Sequence, residues 1–219
     1  MEREQIESGL RDLRECVARM GDVVCARLEV CLRALSDRDQ ARMRFVLRHD
    51  EEINALQIEI DDRALRLLAA GHPTAVDLRF IVAAIRANAD LERIGDQAVN
   101  VAGAALQIAG RPELAHEPLV IDMGWSALAM VRDALASFLD RNAALARSVL
   151  ERDDDVDAMK RRVLRDLVTL MTQDTGTIER AISLVFISRS FERVADHATN
   201  VAEGAIFLVE GKDVRHHHG

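Results

Sequence analysis

An internal repeat constrains the fold of this chain more than any other feature. Residues 92–102 read ERIGDQAVNVA and residues 192–202 read ERVADHATNVA, so seven of eleven positions are identical. A repeat at a fixed spacing indicates that one structural unit is used twice. Because the spacing of 100 residues is close to a common domain size, the 219-residue chain is predicted to contain two related halves.

The composition predicts that both halves are helical. The chain is 49% hydrophobic, which is enough to bury a core, whereas aromatic residues make up only 3%, tyrosine is absent and there are three prolines. Ala, Leu, Val, Arg, Asp and Glu dominate, and most of these favour helices. No window shows the alternating pattern of a strand.

The predicted architecture is all-α, with two tandem pseudo-symmetric three-helix bundles made of six long helices. Residues 1–110 form the first bundle, residues 119–211 the second, and residues 111–118, which hold two of the three prolines, link them. The helices are expected over residues 5–36, about 37–70, 74–110, 121–150, 153–174 and 177–209, from apolar periodicity and from Gly, Pro, Ser and Thr at their ends.

Charge and cysteine content exclude several classes of protein. The formal net charge is −8, which disfavours nucleic acid as a partner because phosphate binding needs a basic face. The longest uncharged run, residues 97–110, is too short to span a bilayer, and the charged N-terminus predicts no secretory signal. Three cysteines without a CxxC motif indicate free thiols in a reducing compartment, and we expect a cytoplasmic protein.

The repeated segment carries oxygen side chains at every fourth position. Such positions wind slowly along one side of a helix, by about 40° per step, and each row begins beside the predicted core. Carboxylate and amide oxygens together are the ligand set of hard cations. The two rows are Glu92, Asp96 and Asn100 in the first half and Glu192, Asp196 and Asn200 in the second.

A second helix in each half offers further oxygen ligands. Asp153 and Asp157 are four residues apart in the second half, and Asp50 and Asn54 occupy the corresponding positions in the first. We therefore expect one carboxylate-rich cation site per half, between its second and third helices, with some carboxyl pKa values raised by like charge. The alternative is that these acids are solvated or paired with arginines such as Arg93 and Arg193.

Other motifs carry less information. The ExxH spacing of Glu113 and His116 falls in the linker, whereas a di-iron oxidase needs two such motifs inside a bundle. His197 corresponds to Gln97, so the repeat does not require an imidazole there. There is no glycine-rich phosphate loop and no nucleophile motif.

The side of the third helix opposite the core is also apolar. Ile94, Val101 and Ile108 lie there, and Val194 and Val201 match the first two. A helix that is apolar on two sides has neighbours on both. Packing of one bundle on the other is the favoured explanation, and docking of another protein or of a second copy is the alternative.

Residues 91–102, their repeat at 191–202 and the ending at 209–216 resemble the PhoU family over essentially the whole chain. The resemblance implies two pseudo-symmetric three-helix bundles and E(D)xxxD motifs that hold multinuclear metal clusters, with Fe, Zn, Mn or Mg as the candidate ions. Glu92–Asp96, Glu192–Asp196 and Asp153–Asp157 match the motif. Asp50–Asn54 departs from it, since an amide replaces the second acid.

The same resemblance implies regulation and not catalysis. PhoU-like proteins are cytoplasmic negative regulators of phosphate uptake that link the phosphate ABC transporter's ATPase to a sensor histidine kinase and keep phosphate-starvation genes off. A homodimer that reaches the membrane only through its partners is expected. A metal-dependent hydrolase or oxidase, or a metal-free helical adaptor, are the alternatives.

Overall fold

The computed structural model describes residues 2–48, 51–70, 73–212 and 214. These residues form α-helices and one short 3₁₀ helix, with no strand among them. The second predicted helix corresponds to α2 and α3, on either side of residues 49–50. The α-helices are α1 (Glu2–Asp37), α2 (Gln40–Arg48), α3 (Glu51–Ala69), α4 (Ala75–Ile108), α5 (Glu117–Leu139), α6 (Ala143–Gln173) and α7 (Ile178–Glu210).

The helices pack as two bundles, which confirms the predicted fold class. Helices α1, α3 and α4 contact one another in the first half, with α2 lying against α1 and α4, and α5, α6 and α7 contact one another in the second. Contacts between α4 and α7 and between α1 and α5 join the two halves. None of the helices is long and apolar enough to cross a membrane, as far as the described residues go.

The start of α4 lies where the sequence predicted it, because Thr74 and Asp77 form a reciprocal cap. The Thr74 hydroxyl accepts from the Asp77 backbone N–H at 3.3 Å, and the Asp77 carboxylate accepts from the Thr74 N–H at 2.9 Å. This capping box satisfies two backbone donors that a helix start leaves unpaired. The predicted stop before it, at Gly71 and His72, lies outside the described residues.

The predicted boundary between the fourth and fifth helices was wrong. Residues 150–153 lie inside α6, and the chain instead turns at Arg141, whose φ of 51° is left-handed. Asn142 then caps α6 by accepting from the Leu145 N–H at 3.1 Å. The apolar positions Val149, Val156 and Val163 continue unbroken through the acidic run and are buried, so the run does not mark a helix start.

Helix α5 begins inside the predicted linker. Its first residue is Glu117, and Pro118 follows in the first turn, where proline costs no hydrogen bond because that N–H would be unpaired anyway. The Thr175–Thr177 break in the second half is a 3₁₀ turn that leads directly into α7.

Helices α4 and α7 run antiparallel along the junction of the bundles. Three contacts show this: Asp90 with His197, Arg86 with Phe207, and Gln107 with Ser183. The second apolar side of these helices is buried, with Ile94 and Val194 fully inaccessible to solvent. Packing within the monomer therefore accounts for it, and this side is not available for docking.

The two bundles share one core. Gly124 of α5 is so close to α1 and α7 that an added Cβ would lie 2.7 Å from Phe191 Cζ and would also overlap the Leu32 side chain. Phe191 and Leu32 are fully buried and belong to the same continuous apolar cluster, which runs through both halves. Because interiors are close-packed, we expect the halves to unfold together.

Candidate functional site

Helices α6 and α7 bring four of the predicted site residues of the second half together. Asp153 and Asp157 lie one turn apart on α6, and they share an acidic cluster with Glu192 and Asp196 of α7. Asp153, Asp157 and Glu192 are partly buried, whereas Asp196 is at the exposed edge. We call these four residues the α6–α7 acidic cluster.

The cluster disfavours the ionised form of its own carboxyl groups. Burial, together with the charges of Asp196, Asp157, Asp154 and Glu192, raises the pKa of Asp153 to about 6. Burial and the neighbouring Glu192 also raise the pKa of Asp196. Both causes act in the same direction, since desolvation and like charge each favour the neutral acid. A cation placed among these oxygens would relieve both costs.

Two basic side chains partly neutralise the cluster. The Lys160 ammonium donates to the Glu192 carboxylate, and Arg161 lies 3.2 Å from Asp157. Lys160 is one turn beyond Asp157 on α6 and corresponds to Gln57 in the first half. Its contact with Glu192 was not predicted from the sequence, because spacing along one helix indicates ion pairs within that helix, whereas Glu192 is on α7.

Asn200, the fifth residue predicted for this site, contacts α4. Its amide donates to the Asp90 carboxylate at 2.9 Å, and the same oxygen lies 2.9 Å from His197 Nδ1. Asp90 and His197 are partly buried, so this contact ties the two bundles together beside the acidic cluster. Its members could not be recognised from the repeat, because Asp90 corresponds to Ser190 and His197 to Gln97.

The corresponding place in the first half is less acidic. Arg93 lies 3.5 Å from Glu92 and 3.7 Å from Asp96, so its guanidinium already balances both acids. Asn100 donates to Gln97 at 3.4 Å. Asn54 is exposed on α3, and Asp50 lies outside the described residues.

The donor chemistry of the second half fits a hard cation better than that of the first. Within the part of the chain that the structure describes, no group of three or more His, Cys, Asp or Glu side chains is arranged so that it could hold a metal ion as it stands. The lysine on Glu192 gives one physical reason, because an ammonium occupies a carboxylate that a metal would need. Binding would therefore require Lys160 to leave Glu192 and the carboxylates to change rotamer.

Comparison with known families accounts for both halves. A family model described as the PhoU domain matches residues 17–105 and again residues 120–205. This chain belongs to the PhoU family. All ten predicted site residues fall within the two matched ranges, so they are part of the repeated PhoU unit and not of an added segment.

Curated PhoU proteins match nearly the full length of the chain. It is 37% identical over 214 residues to the phosphate-specific transport system accessory protein PhoU homolog of Pseudomonas aeruginosa, covering 97% of this chain and 88% of that protein. It is 33% identical over 215 residues to the protein of the same name from Clostridium acetobutylicum, covering 98% of each.

Solved structures of PhoU proteins have the same fold. The crystal structure of PhoU from Pseudomonas aeruginosa gives a TM-score of 0.91 at 37% identity, over 94% of this chain and 99% of that one. The phosphate transport system regulatory protein PhoU from Streptococcus pneumoniae gives 0.89 at 28% identity, over 95% and 99%. Agreement over both bundles confirms the tandem architecture.

Proposed function

We propose that this chain is a negative regulator of phosphate uptake and of the phosphate-starvation response. In this proposal it bridges the ATPase of a phosphate ABC transporter and a sensor histidine kinase. The observation that carries the proposal is full-length similarity to proteins named as accessory or regulatory components of phosphate transport. The chain would act by binding, in the cytoplasm and as a homodimer, without catalytic turnover of its own.

We further propose that the α6–α7 acidic cluster binds a divalent or multivalent cation such as Fe, Zn, Mn or Mg. Asp153, Asp157, Glu192 and Asp196 would hold it, and its positive charge would offset the like charges between the two helices. The raised pKa values of Asp153 and Asp196 support this, because burial and the neighbouring acids both disfavour the ionised carboxylates and a cation would offset both effects. In the first half, the weaker counterpart would be formed by Glu92, Asp96 and Asn100, with Asp50 and Asn54 as the further ligands that the sequence predicts.

The regulatory proposal is tested by deleting the gene and measuring a phosphate-starvation reporter in high phosphate. Loss of the chain should turn the reporter on, and a deletion strain with normal repression would reject the proposal. Glu192→Ala/Asp196→Ala should restore repression only in part while helicity is retained. Glu151→Ala, which removes an exposed acid from α6 outside the cluster, should restore repression fully.

A metal-free helical adaptor is the second candidate. The Lys160–Glu192 ion pair favours it, because a built-in ammonium already supplies positive charge to the cluster. Elemental analysis of the protein as purified and thermal unfolding with added Mn²⁺, Mg²⁺ or Zn²⁺ separate the two. A bound cation should raise the melting temperature by linkage, and Glu192→Ala/Asp196→Ala should abolish the rise. The adaptor predicts no bound metal and no shift.

A further inference from the structure

Two grooves related by the internal repeat run along the junction of α4 and α7, and only one of them is filled. The closed groove lies between the N-terminal half of α4 and the C-terminal half of α7, over Ala83, Ala87 and Gly204. There the guanidinium of Arg86 lies 6.0 Å from the centre of the Phe207 ring. An aromatic ring and a cation of the same chain thus cover this groove.

The open groove lies between the other halves of the same helices. Gly103 and Ala104 line it on α4, and Gln107 and Phe186 stand where the closed groove has Phe207 and Arg86. We call Arg86 and Phe207 the covering pair of the closed groove. Both residues of this pair are replaced by other residue types at the corresponding positions of the open groove. With glutamine in place of the ring, Phe186 is 57% exposed.

Further apolar side chains extend this exposed surface. Leu47 of α2 lines the open groove beside Gly103, and Ile182 lies one turn before Phe186 on α7. Leu47 is 37% exposed and Ile182 43% exposed. Large apolar side chains grouped in a groove, and not scattered singly, indicate an interaction site.

The open groove is basic although the chain as a whole is acidic. Arg189 and Arg193 line it one helical turn apart on α7 and are exposed. Within the described residues neither arginine forms an ion pair, whereas Arg93, the counterpart of Arg193, lies near two acids of its own helix. In a chain with a net charge of −8, two unpaired cations beside an apolar groove select an anionic, apolar ligand.

We propose that the open groove binds an acidic amphipathic helix of a partner protein. Apolar side chains of that helix would pack over Gly103 against Phe186 and Leu47, as Phe207 does in the closed groove. Carboxylates one turn apart on the same helix would pair with Arg189 and Arg193, whose spacing of four residues matches them. This inference rests on the proposed function in supplying the chemistry of one regulatory partner.

The charges disfavour two other occupants of the open groove. A two-fold dimer through this groove would place the arginines of both copies at the same interface, because such an interface repeats one surface patch. An anionic membrane attracts clusters of four or more basic residues, and the rest of this chain would be repelled.

The test uses the purified full-length protein and two fluorescein-labelled model peptides of about 18 residues, a length sufficient for helix formation. One peptide has leucines along one face and glutamates on the other, and its partner has lysines in place of the glutamates. Fluorescence anisotropy measures binding. Vesicles of phosphatidylglycerol and sedimentation velocity of the protein alone test the other two occupants.

Variants locate the binding surface. Phe186→Ser, and separately Arg189→Glu/Arg193→Glu, should weaken binding of the acidic peptide about tenfold or more, the loss expected when about 1.4 kcal/mol of contact energy is removed. Gln107→Phe/Phe186→Arg rebuilds the covering pair of the closed groove and should abolish binding while the protein stays folded. The matched control is Arg165→Glu/Val168→Ser, which changes an exposed basic and apolar pair on α6 and should have no effect.

The inference is upheld if the acidic peptide binds, the basic peptide does not, and the open-groove variants alone reduce binding. It is overturned if both peptides bind equally, or if the covered variant binds as well as the wild type. It is also overturned if the same variants instead abolish vesicle binding or self-association. None of these measurements involves phosphate-responsive genes, so this inference and the proposed regulatory function fail independently.

Discussion

Replacing Arg38 with alanine should destabilise the protein far more than replacing Arg141, although the two arginines occupy equivalent turns of the repeat. Both have left-handed backbones, with φ of 55° and 51°. Each directly precedes a polar residue, Asp39 or Asn142, whose side chain accepts a backbone N–H of the helix that follows. Alanine and arginine tolerate a left-handed backbone about equally, so the backbone cost cancels and only the side-chain contacts differ.

The guanidinium of Arg38 joins the end of α4 to the start of α5. It donates to the Glu117 carboxylate at 2.7 Å, to the carbonyl oxygen of Arg111 at 2.7 Å, and to the carbonyl oxygens of Ile108 and Ala109. Glu117 is only 4% exposed, so the variant leaves a buried carboxylate without its counter-charge. Breaking such a pair costs about 3–5 kcal/mol, and partial exposure of Arg38 favours the lower end, about 3 kcal/mol. Arg141 is exposed, so its loss should cost about 0.5 kcal/mol or less.

Urea unfolding followed by far-UV circular dichroism measures these differences. A further variant, Arg38→Ala/Glu117→Gln, should recover about 1 kcal/mol or more relative to Arg38→Ala, because the buried charge is removed. Its amide oxygen can still accept the Leu114 N–H, which Glu117 accepts at 3.0 Å. Equal losses for Arg38→Ala and Arg141→Ala, or no recovery in the double variant, would refute the reasoning.

Three further predictions concern the acidic cluster, the shared core and the thiols. Because the pKa of Asp153 in the fold, about 6, exceeds its unfolded value of about 3.9, the wild type loses stability as pH rises through this window. Asp153→Asn should therefore raise the free energy of unfolding by about 1 kcal/mol at pH 7.5, after allowance for solvent screening, and should leave it unchanged below about pH 4. Urea titrations at several pH values measure this, and the control Glu151→Gln should show no such pH dependence. Gly124→Ala should destabilise the protein by about 1–3 kcal/mol through overpacking. Gly204→Ala should stabilise it by about 0.5–1 kcal/mol, because the nearest atom to the added Cβ is 3.9 Å away. A higher melting temperature for Gly124→Ala than for Gly204→Ala would contradict the packing of the junction. The three cysteines are buried and burial raises their pKa values, so Ellman's reagent should label them slowly unless denaturant is present, and rapid labelling of the native protein would contradict this.

The sequence predicted the features that depend on one element at a time. The capping box at Thr74 is local, so the start of α4 was placed correctly. The turn at Arg141 was missed because the acidic run Asp153–Asp155 looked like a helix start, while the valines that continue through it decide the packing. Glu192 was singled out by the repeat, and Asp153 was expected near it as an acid of the preceding helix. The lysine on Glu192 was not expected, because Lys160 has no basic counterpart in the first half.

The apolar packing between the bundles was predicted, but their polar contacts escaped prediction for a reason that follows from symmetry. In an antiparallel pair of repeated helices, a contact between one position of the first copy and another position of the second has a counterpart in which the two copies are interchanged. Asp90 with His197 in one place therefore corresponds to Ser190 with Gln97 in the other. Because both residues of such a contact differ between the two copies, a comparison of the repeats marks neither residue as significant.

The same symmetry turns divergence into information once the fold is known. Positions 86 and 207 form the covering pair of the closed groove, and their counterparts, Phe186 and Gln107, have both changed. Position 107 supplies no ring to cover Phe186, so the exposed part of this phenylalanine gains nothing from burial in the free protein. The ring also lies beside Arg189 and Arg193, which form no ion pair within the part of the chain that the structure describes. A ligand that covers the ring and neutralises the arginines would explain that combination. The asymmetry between the halves, more than their similarity, is therefore the basis on which we propose this groove as a partner-binding surface.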